Sequence, residues 1–240
     1  GSVSINGEVN QEGNFQILDG DTIFNLLKRS GGLKKAAYLE GMIFTREEEK
    51  IREKKSFDRL RAELDKAIVV ALEKQSSNVK IGVDEILALK QLSQEASKFE
   101  PIGRVVGNFK NINILKNTFL RSGDTITIPK RPSSITIVGE IMSPGSILWN
   151  ENYKIKRYID DAAGFTDLAD TKKIFIIKPN GQSKLLSNLW NKKEDVLPGS
   201  TIVIPRKVEL ASILDRISSI SSVVYQITLS LAGLDNVLNN

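Results

Sequence analysis

A stretch near the start of this chain returns, without a gap, 132 residues later, as Gly139 set against Gly7 shows. Gly7-Glu8-Val9, Gly13, Phe15, Ile23, Leu26-Leu27 and Gly32-Leu33 align with Gly139-Glu140-Ile141, Gly145, Ile147, Ile155, Tyr158-Ile159 and Gly164-Phe165. Both copies also close on one pattern, Arg121-Ser-Gly-Asp-Thr-Ile-Thr-Ile-Pro129 and Leu197-Pro-Gly-Ser-Thr-Ile-Val-Ile-Pro205, now at an offset of 76. The difference between the offsets, 132 less 76, puts 56 extra residues inside the first copy. A repeat of this length is a whole small domain, too long for the period of a solenoid or propeller. With 240 residues there is room for two such domains, each able to bury its own core.

Each copy opens with apolar alternation, Val3-Ser-Ile5-Asn and Ile135-Thr-Ile137-Val, the pattern of a strand with one buried face. The turns that follow carry Gly13 or Pro144-Gly145, so a strand hairpin is expected. Next come segments with apolar residues at helical spacing, ending at Gly31-Gly32 and Gly164, with Asp21 as the expected N-cap of the first. Further strands are expected at Met42-Ile43-Phe44 and Ile174-Phe-Ile-Ile177, and at Thr125-Ile-Thr-Ile128 and Thr201-Ile-Val-Ile204. The last pair enters from a glycine turn and is ended by proline. Strands with one helix across them make an α+β domain of the β-grasp kind, so the chain reads as two tandem domains, 3–131 and 134–207.

The extra residues of the first copy read as a helical insertion, 46–100. Thr45-Arg-Glu-Glu48 has the form of a capping box, and Ile51, Phe57, Leu60, Leu64, Ile68 and Leu72 recur at helical spacing behind it. A polar break at Gln75-Ser-Ser-Asn78 precedes a second helical stretch, 84–98. Arg52, Lys54, Lys55, Arg59 and Arg61 read as a solvated charged face rather than a binding surface. After the second copy, 208–240 carries a continuous apolar stripe, and 217–234 contains no charge. As a helix those residues rise about 27 Å, close to the roughly 30 Å of a bilayer core. Ile217, Ile220, Val224, Ile227, Leu231 and Leu234 would face lipid, leaving Ser218, Ser219, Ser221 and Ser222 for a neighbour or a lumen. The alternative is an amphipathic helix docked on protein.

Composition removes several classes of function. The chain has no Cys and no His, which excludes disulfides, a thiol nucleophile, the usual zinc sites and His-based triads. No metal or cofactor site is expected. Neither copy has a Gly-x-Gly-x-x-Gly run or a phosphate-loop ending, so the glycines read as turns and caps. Glu8 and Glu140 are equivalent carboxylates at strand ends in separate copies, which favours a shared structural role over an acid–base pair. The net charge of +5 arises from interspersed signs, and aromatic residues are few, so no nucleic-acid partner is expected. Trp149, Tyr153, Tyr158 and Trp190 could stack on sugars but read first as core. Gly1-Ser2 reads as the remnant of a cleaved tag and is set aside from the strand pattern.

The residues Ile137-Val-Gly139-Glu-Ile-Met-Ser-Pro144-Gly145, Asp161-Ala-Ala-Gly164 and Leu197-Pro-Gly-Ser-Thr-Ile-Val-Ile-Pro205 resemble a known pattern. It is that of the soluble-ligand-binding β-grasp (SLBB) domains of bacterial outer-membrane polysaccharide export proteins. The first copy, with its insertion and Glu100-Pro101-Ile-Gly103-Arg104-Val-Val, is similar to the longer capsule-export members. It departs from the pattern where Ser122-Gly123-Asp124 replaces Pro-Gly-Asp and Gln11-Glu12-Gly13 replaces the Pro-Gly turn.

The resemblance implies a non-enzymatic conduit for capsular or related polysaccharide in the periplasm and outer membrane of a Gram-negative bacterium. Its partners would be further copies in a ring, the polysaccharide, the outer membrane and inner-membrane export or co-polymerase machinery. The C-terminal helix is then a candidate pore wall. The family's N-terminal export domain is missing, so the chain reads as the C-terminal piece of a longer protein. The alternative is a soluble carbohydrate or small-ligand binding module. An enzyme is a third class, for which no nucleophile–base constellation can be named. No polysaccharide-binding residue can be assigned from the sequence.

Overall fold

The computed structural model describes residues 1–75, 86–87, 90, 93–94, 97, 100–186 and 196–206. The fold is α+β. Ten strands form two five-stranded mixed sheets. The first contains β1 (Ser2–Gly7), β2 (Gly13–Gln16), β3 (Ile43–Thr45), β4 (Arg104–Val105) and β5 (Thr125–Ile128), in the order β2-β1-β5-β3-β4. The second contains β6 (Ser134–Gly139), β7 (Gly145–Leu148), β8 (Phe175–Ile177), β9 (Ser183–Leu185) and β10 (Thr201–Ile204), in the order β7-β6-β10-β8-β9. The second order is the first repeated. The helices α1 (Ile23–Arg29) and α4 (Ile155–Asp161) hold equivalent places, with α3 (Ile112–Asn117) between them in the first copy.

Alternation along the strands decides which face is buried. Val3 and Ile5 of β1 and Ile126 and Ile128 of β5 point into one core with Ile23, Leu26 and Leu27 of α1, closed by Met42, Phe44 and Phe109. Ile135, Ile137, Ile202 and Ile204 meet Ile155, Tyr158 and Ile159 in the same way. The second sheet is also apolar on its other face, where Phe175, Ile177 and Val203 cluster with Val138.

The last strand of each copy runs parallel to the first and sits between it and the third. Gly7 pairs with Ile128, and Gly139 with Ile204. Both glycines have positive φ, +91° and +96°, and a Cβ there would lie 2.2 Å from the Ile128 carbonyl oxygen or 2.0 Å from that of Ile204. Those carbonyls accept from the Glu8 and Glu140 amides, each at 2.8 Å. Glycine is needed here for its conformation and for the close approach of two backbones.

Several local expectations change. Thr22, not Asp21, caps α1, its hydroxyl accepting from the Asn25 amide, while Asp21 is buried against Arg29. The second copy ends α4 with Ala163 at φ +62°, where the first has Gly31. Gly1 and Ser2 join the sheet: Ser2 pairs with Gln16, and their carbonyls accept from Ile17 and Gly123. In the insertion, α2 (Glu47–Gln75) is a single helix of 29 residues, about 43 Å long. Thr45 stays in β3 opposite Thr125 and Arg104, and Glu48 reaches Arg121, so the capping-box geometry is replaced. Phe57, Leu60 and Leu64 are buried, as is Ile86 of the returning stretch, whose Ser93 hydroxyl donates to Asp65 at 2.7 Å. Ile51 and Leu72 are half-exposed instead, and Arg52, Lys54, Lys55, Arg59 and Arg61 are exposed.

Gly139→Ala should cost about 3 kcal/mol or more, because a strained φ and a backbone collision act together. Gly164→Ala, also at positive φ but facing open space, should cost only about 1–2 kcal/mol. Urea unfolding of the two variants measures the gap, and equal losses would remove the close-approach argument.

Candidate functional site

The two sheets meet along a seam built by short segments. The connector 129–133 leads from β5 into β6. The turn between β8 and β9 lies against β4, where Asn180 Nδ2 donates to the Gly107 carbonyl at 2.9 Å and Arg104 Nη2 to the Pro179 carbonyl at 2.5 Å. Tyr38 Oη donates to the Pro198 carbonyl at 3.1 Å. Arg131 stacks on rings from both copies, 6.0 Å from Tyr38 and 5.2 Å from Trp149. Burial raises the Tyr38 phenol to about 12, with the Glu40 carboxylate adding to the shift.

Between these contacts lies a cavity of about 580 Å³, lined from both copies by Tyr38, Arg104, Lys130, Arg131, Lys178 and Thr201 among others. Its volume falls in the range of small-ligand pockets. Among its described lining residues are four cations and a single carboxylate, Glu8, which lies 3.9 Å from Lys130. Among the described residues the buried Arg104 Nε has no hydrogen-bond partner, and burial lowers the Arg104 pKa to about 10.

The neighbouring arginine is different. Arg46 precedes α2 and grips the fully buried Asp124 with two bonds, Nε to Oδ1 at 2.9 Å and Nη2 to Oδ2 at 2.8 Å. Asp124 also accepts from the Arg121 amide, and the bond to Asp124 raises the Arg46 pKa. Asp124 thus fixes the Ser-Gly-Asp turn to the base of the insertion. At the equivalent places the second copy has Ser200 and Lys178, and among the described residues the buried Ser200 hydroxyl has no partner. The equivalent glutamates stand in equivalent ion pairs. Glu8 faces Lys130 and Glu140 faces Arg206 at 3.4 Å, each just past its closing proline.

Tyr158 is fully buried, and Trp149 and Tyr153 pack partly buried against the same core. The Trp149 indole donates to the Val196 carbonyl at 2.6 Å. Trp190 and the six residues expected to face lipid, Ile217, Ile220, Val224, Ile227, Leu231 and Leu234, lie outside the described residues. Among the described residues no helix is long and apolar enough to cross a membrane, and no group of His, Cys, Asp or Glu could hold a metal ion. Sequence reasoning did not single out the seam. Its partners are as much as 160 positions apart, and no local pattern signals that Arg104 lacks a carboxylate.

Comparison with known proteins bears out the resemblance. Residues 2–53 match the SLBB domain family, and residues 143–224 match the family described as capsule biosynthesis GfcC C-terminal. The chain is 24% identical over 164 residues to two Escherichia coli proteins, each described as polysialic acid transport protein KpsD. The aligned stretch covers 68% of this chain and 28% of each relative, so the chain spans less than a third of their length.

Two measurements test the site's supports. Asp124→Ala and Arg46→Ala should each cost about 3–5 kcal/mol, since each strands a buried charge, and the double variant should cost less than the sum. Additive losses in a urea double-mutant cycle would refute the pair. The Tyr38 phenol titrates in the fold at about 12 against 10 in an unfolded chain. Its contribution is therefore complete below pH 10 and is lost as pH rises through 12. Tyr38→Phe should make the alkaline fall in stability shallower, measured as melting temperature against pH.

Proposed function

We propose that this chain is part of a capsular polysaccharide export apparatus in a Gram-negative envelope, supplying walls and contacts rather than chemistry. One observation carries the reading: the chain matches a capsule-biosynthesis family over residues 143–224 and also aligns over 164 residues with proteins named for polysialic acid transport. In this reading 3–131 and 134–207 are tandem SLBB-like β-grasp domains. The equal strand orders, the 132-residue spacing of β1, β2, α1 and β3 to their counterparts and the 76-residue spacing of β5 support that division. Copies assemble into a ring in the periplasm and outer membrane, working with inner-membrane export or co-polymerase machinery. The tail 208–240 contributes a membrane-seeking helix.

The insertion is the element that bridges neighbours. Its helix α2 is far longer than the sheet it leaves, and Val69, Val70 and Leu72 near its end are half-exposed. An apolar end on a long charged arm suits contact with another copy. A binding-module reading is favoured by the cavity between the sheets. In that case the protein would be a monomer or small oligomer.

Sedimentation in detergent separates the two readings. A discrete high oligomer is expected, and a monomer at all concentrations would overturn the ring. Removing 56–98 while keeping Arg46 and Glu53 should leave both sheets folded and abolish the oligomer; unchanged assembly would exclude the bridging role. Liposome flotation tests the tail. A charge at the centre of a spanning helix costs roughly 2.5–3.5 kcal/mol, so Val224→Asp and Ile227→Lys should prevent insertion while Ser222→Asp is tolerated. Equal partitioning of all three would make the stripe a protein-docking surface.

A further inference from the structure

We propose that the cavity between the two sheets is an oxyanion-binding site, with Arg104 as its deep donor and Lys130, Arg131 and Lys178 as its basic rim. The oxyanion we assign to it is the carboxylate of an acidic sugar residue. That sugar assignment rests on the export reading; the site itself does not.

Two arginines stand on neighbouring segments, one in β4 and one just past the end of β3. Arg104 in β4 pairs across the sheet with Thr45, whose next neighbour is Arg46. Arg46 has a carboxylate held by two parallel bonds. The Arg104 Nε is enclosed as well, yet among the described residues this side chain has no carboxylate partner, and its Nη2 donates to the Pro179 carbonyl. Gly181 closes over it so tightly that a Cβ there would lie 3.0 Å from its Nε. A guanidinium offers five donors in a planar fork suited to a two-oxygen anion. Burying one with a single neutral acceptor is costly unless an anion completes it.

The surroundings fit such an anion. Lys130, Arg131 and Lys178 line the same cavity, while its one described carboxylate, Glu8, is already beside Lys130. Thr127, Ser134 and Thr201 place hydroxyl-bearing residues along the walls, and Pro129, Pro132 and Tyr38 provide apolar surface. That combination suits a sugar ring bearing a charged group better than a bare ion. The volume, about 580 Å³, leaves room for a sugar residue to enter.

The test is calorimetric titration of the whole chain with three probes: a short sialic acid oligomer, a neutral glucose oligomer of equal length and inorganic phosphate. The sialic acid oligomer should bind and the neutral one should not, with affinity falling as salt rises. Arg104→Lys, which keeps the charge and loses the fork, should weaken binding by about tenfold. Lys178→Ala and Arg131→Ala should weaken it too, and Lys178→Ala, which alters only the rim, keeps the test meaningful if Arg104→Lys unfolds. Lys172→Ala, outside the cavity, should change nothing. Phosphate binding with the same variant dependence and no response to the sugar would support the oxyanion site and overturn its assignment to a sugar. No binding of either anion at millimolar concentration, or binding indifferent to all three cavity variants, would overturn the site. Ring formation in detergent is scored separately, so failure here leaves the export reading standing.

Discussion

A closing strand that must enter the middle of its own sheet is the constraint on which both copies depend. β5 slots between β1 and β3, and β10 between β6 and β8, so each central strand is paired along both edges. Interior pairing leaves no solvent to rescue a missed backbone bond, which makes the approach at the strand ends exacting. Gly7 and Gly139 permit that approach, and the Ile128 and Ile204 carbonyls are taken by the next residue's amide. The central strand of each copy ends before a proline, but the chain stays tied back to the long connection: the Pro129 and Pro205 carbonyls accept from the Tyr38 and Asp170 amides, and Lys130 and Arg206 bridge Ala37 and Ala169. The same glycine, glutamate and proline therefore stand at the same topological points in both copies.

Given that slot, an insertion between β3 and β4 is cheap provided its base is pinned. The entropy of closing a longer loop grows only logarithmically with length. The Arg46 amide donates to the Gly103 carbonyl at 2.9 Å, and the Gly103 amide donates to Glu53 at 2.9 Å, so the two ends of the excursion are stitched together. Arg46 then reaches Asp124 and fixes the turn into β5. The second copy joins β8 to β9 by a tight turn instead, and that turn rests on β4 of the first copy. The seam thus follows from an asymmetry between the copies: one has an arm where the other has a short turn, and that turn rests on the segment by which the arm returns.

What the sequence made legible was what repeats or alternates. The 132-residue spacing located β1, β2, α1 and β3 and their counterparts, because identical constraints select similar residues at similar places. The apolar alternation of Val3-Ile5 and Ile135-Ile137 gave the buried face directly. Less visible were contacts whose partners share no local pattern. Thr22 and Asp21 are both competent caps, and the choice turned on Arg29, a helix length away, claiming Asp21. Thr45-Arg-Glu-Glu48 has the letters of a capping box, but cross-strand pairing holds Thr45 in the sheet. The short edge strands β4 and β9 lack a run long enough to show alternation. The cavity was illegible altogether, since it depends on how two separately readable units meet.

The two copies also divide their charges unequally. The first satisfies Arg46 with a carboxylate from its own turn, whereas at the corresponding places the second has a serine and a lysine, and no such pair forms. Lys178 from the second copy and Arg104, Lys130 and Arg131 from the first copy and connector converge on one cavity, where Lys130 is beside the carboxylate of Glu8. Like charges gathered at a junction oppose its closing, and here Tyr38, Asn180 and the stacked Arg131 hold it together with neutral hydrogen bonds and ring contacts. An anion seated there would touch both copies at once and relieve that repulsion. Whatever sets the angle between the copies, including neighbours in an assembly, would by linkage also set the affinity for that anion. A junction of this kind gives a physical route by which a bound anion and the arrangement of the two copies can influence one another.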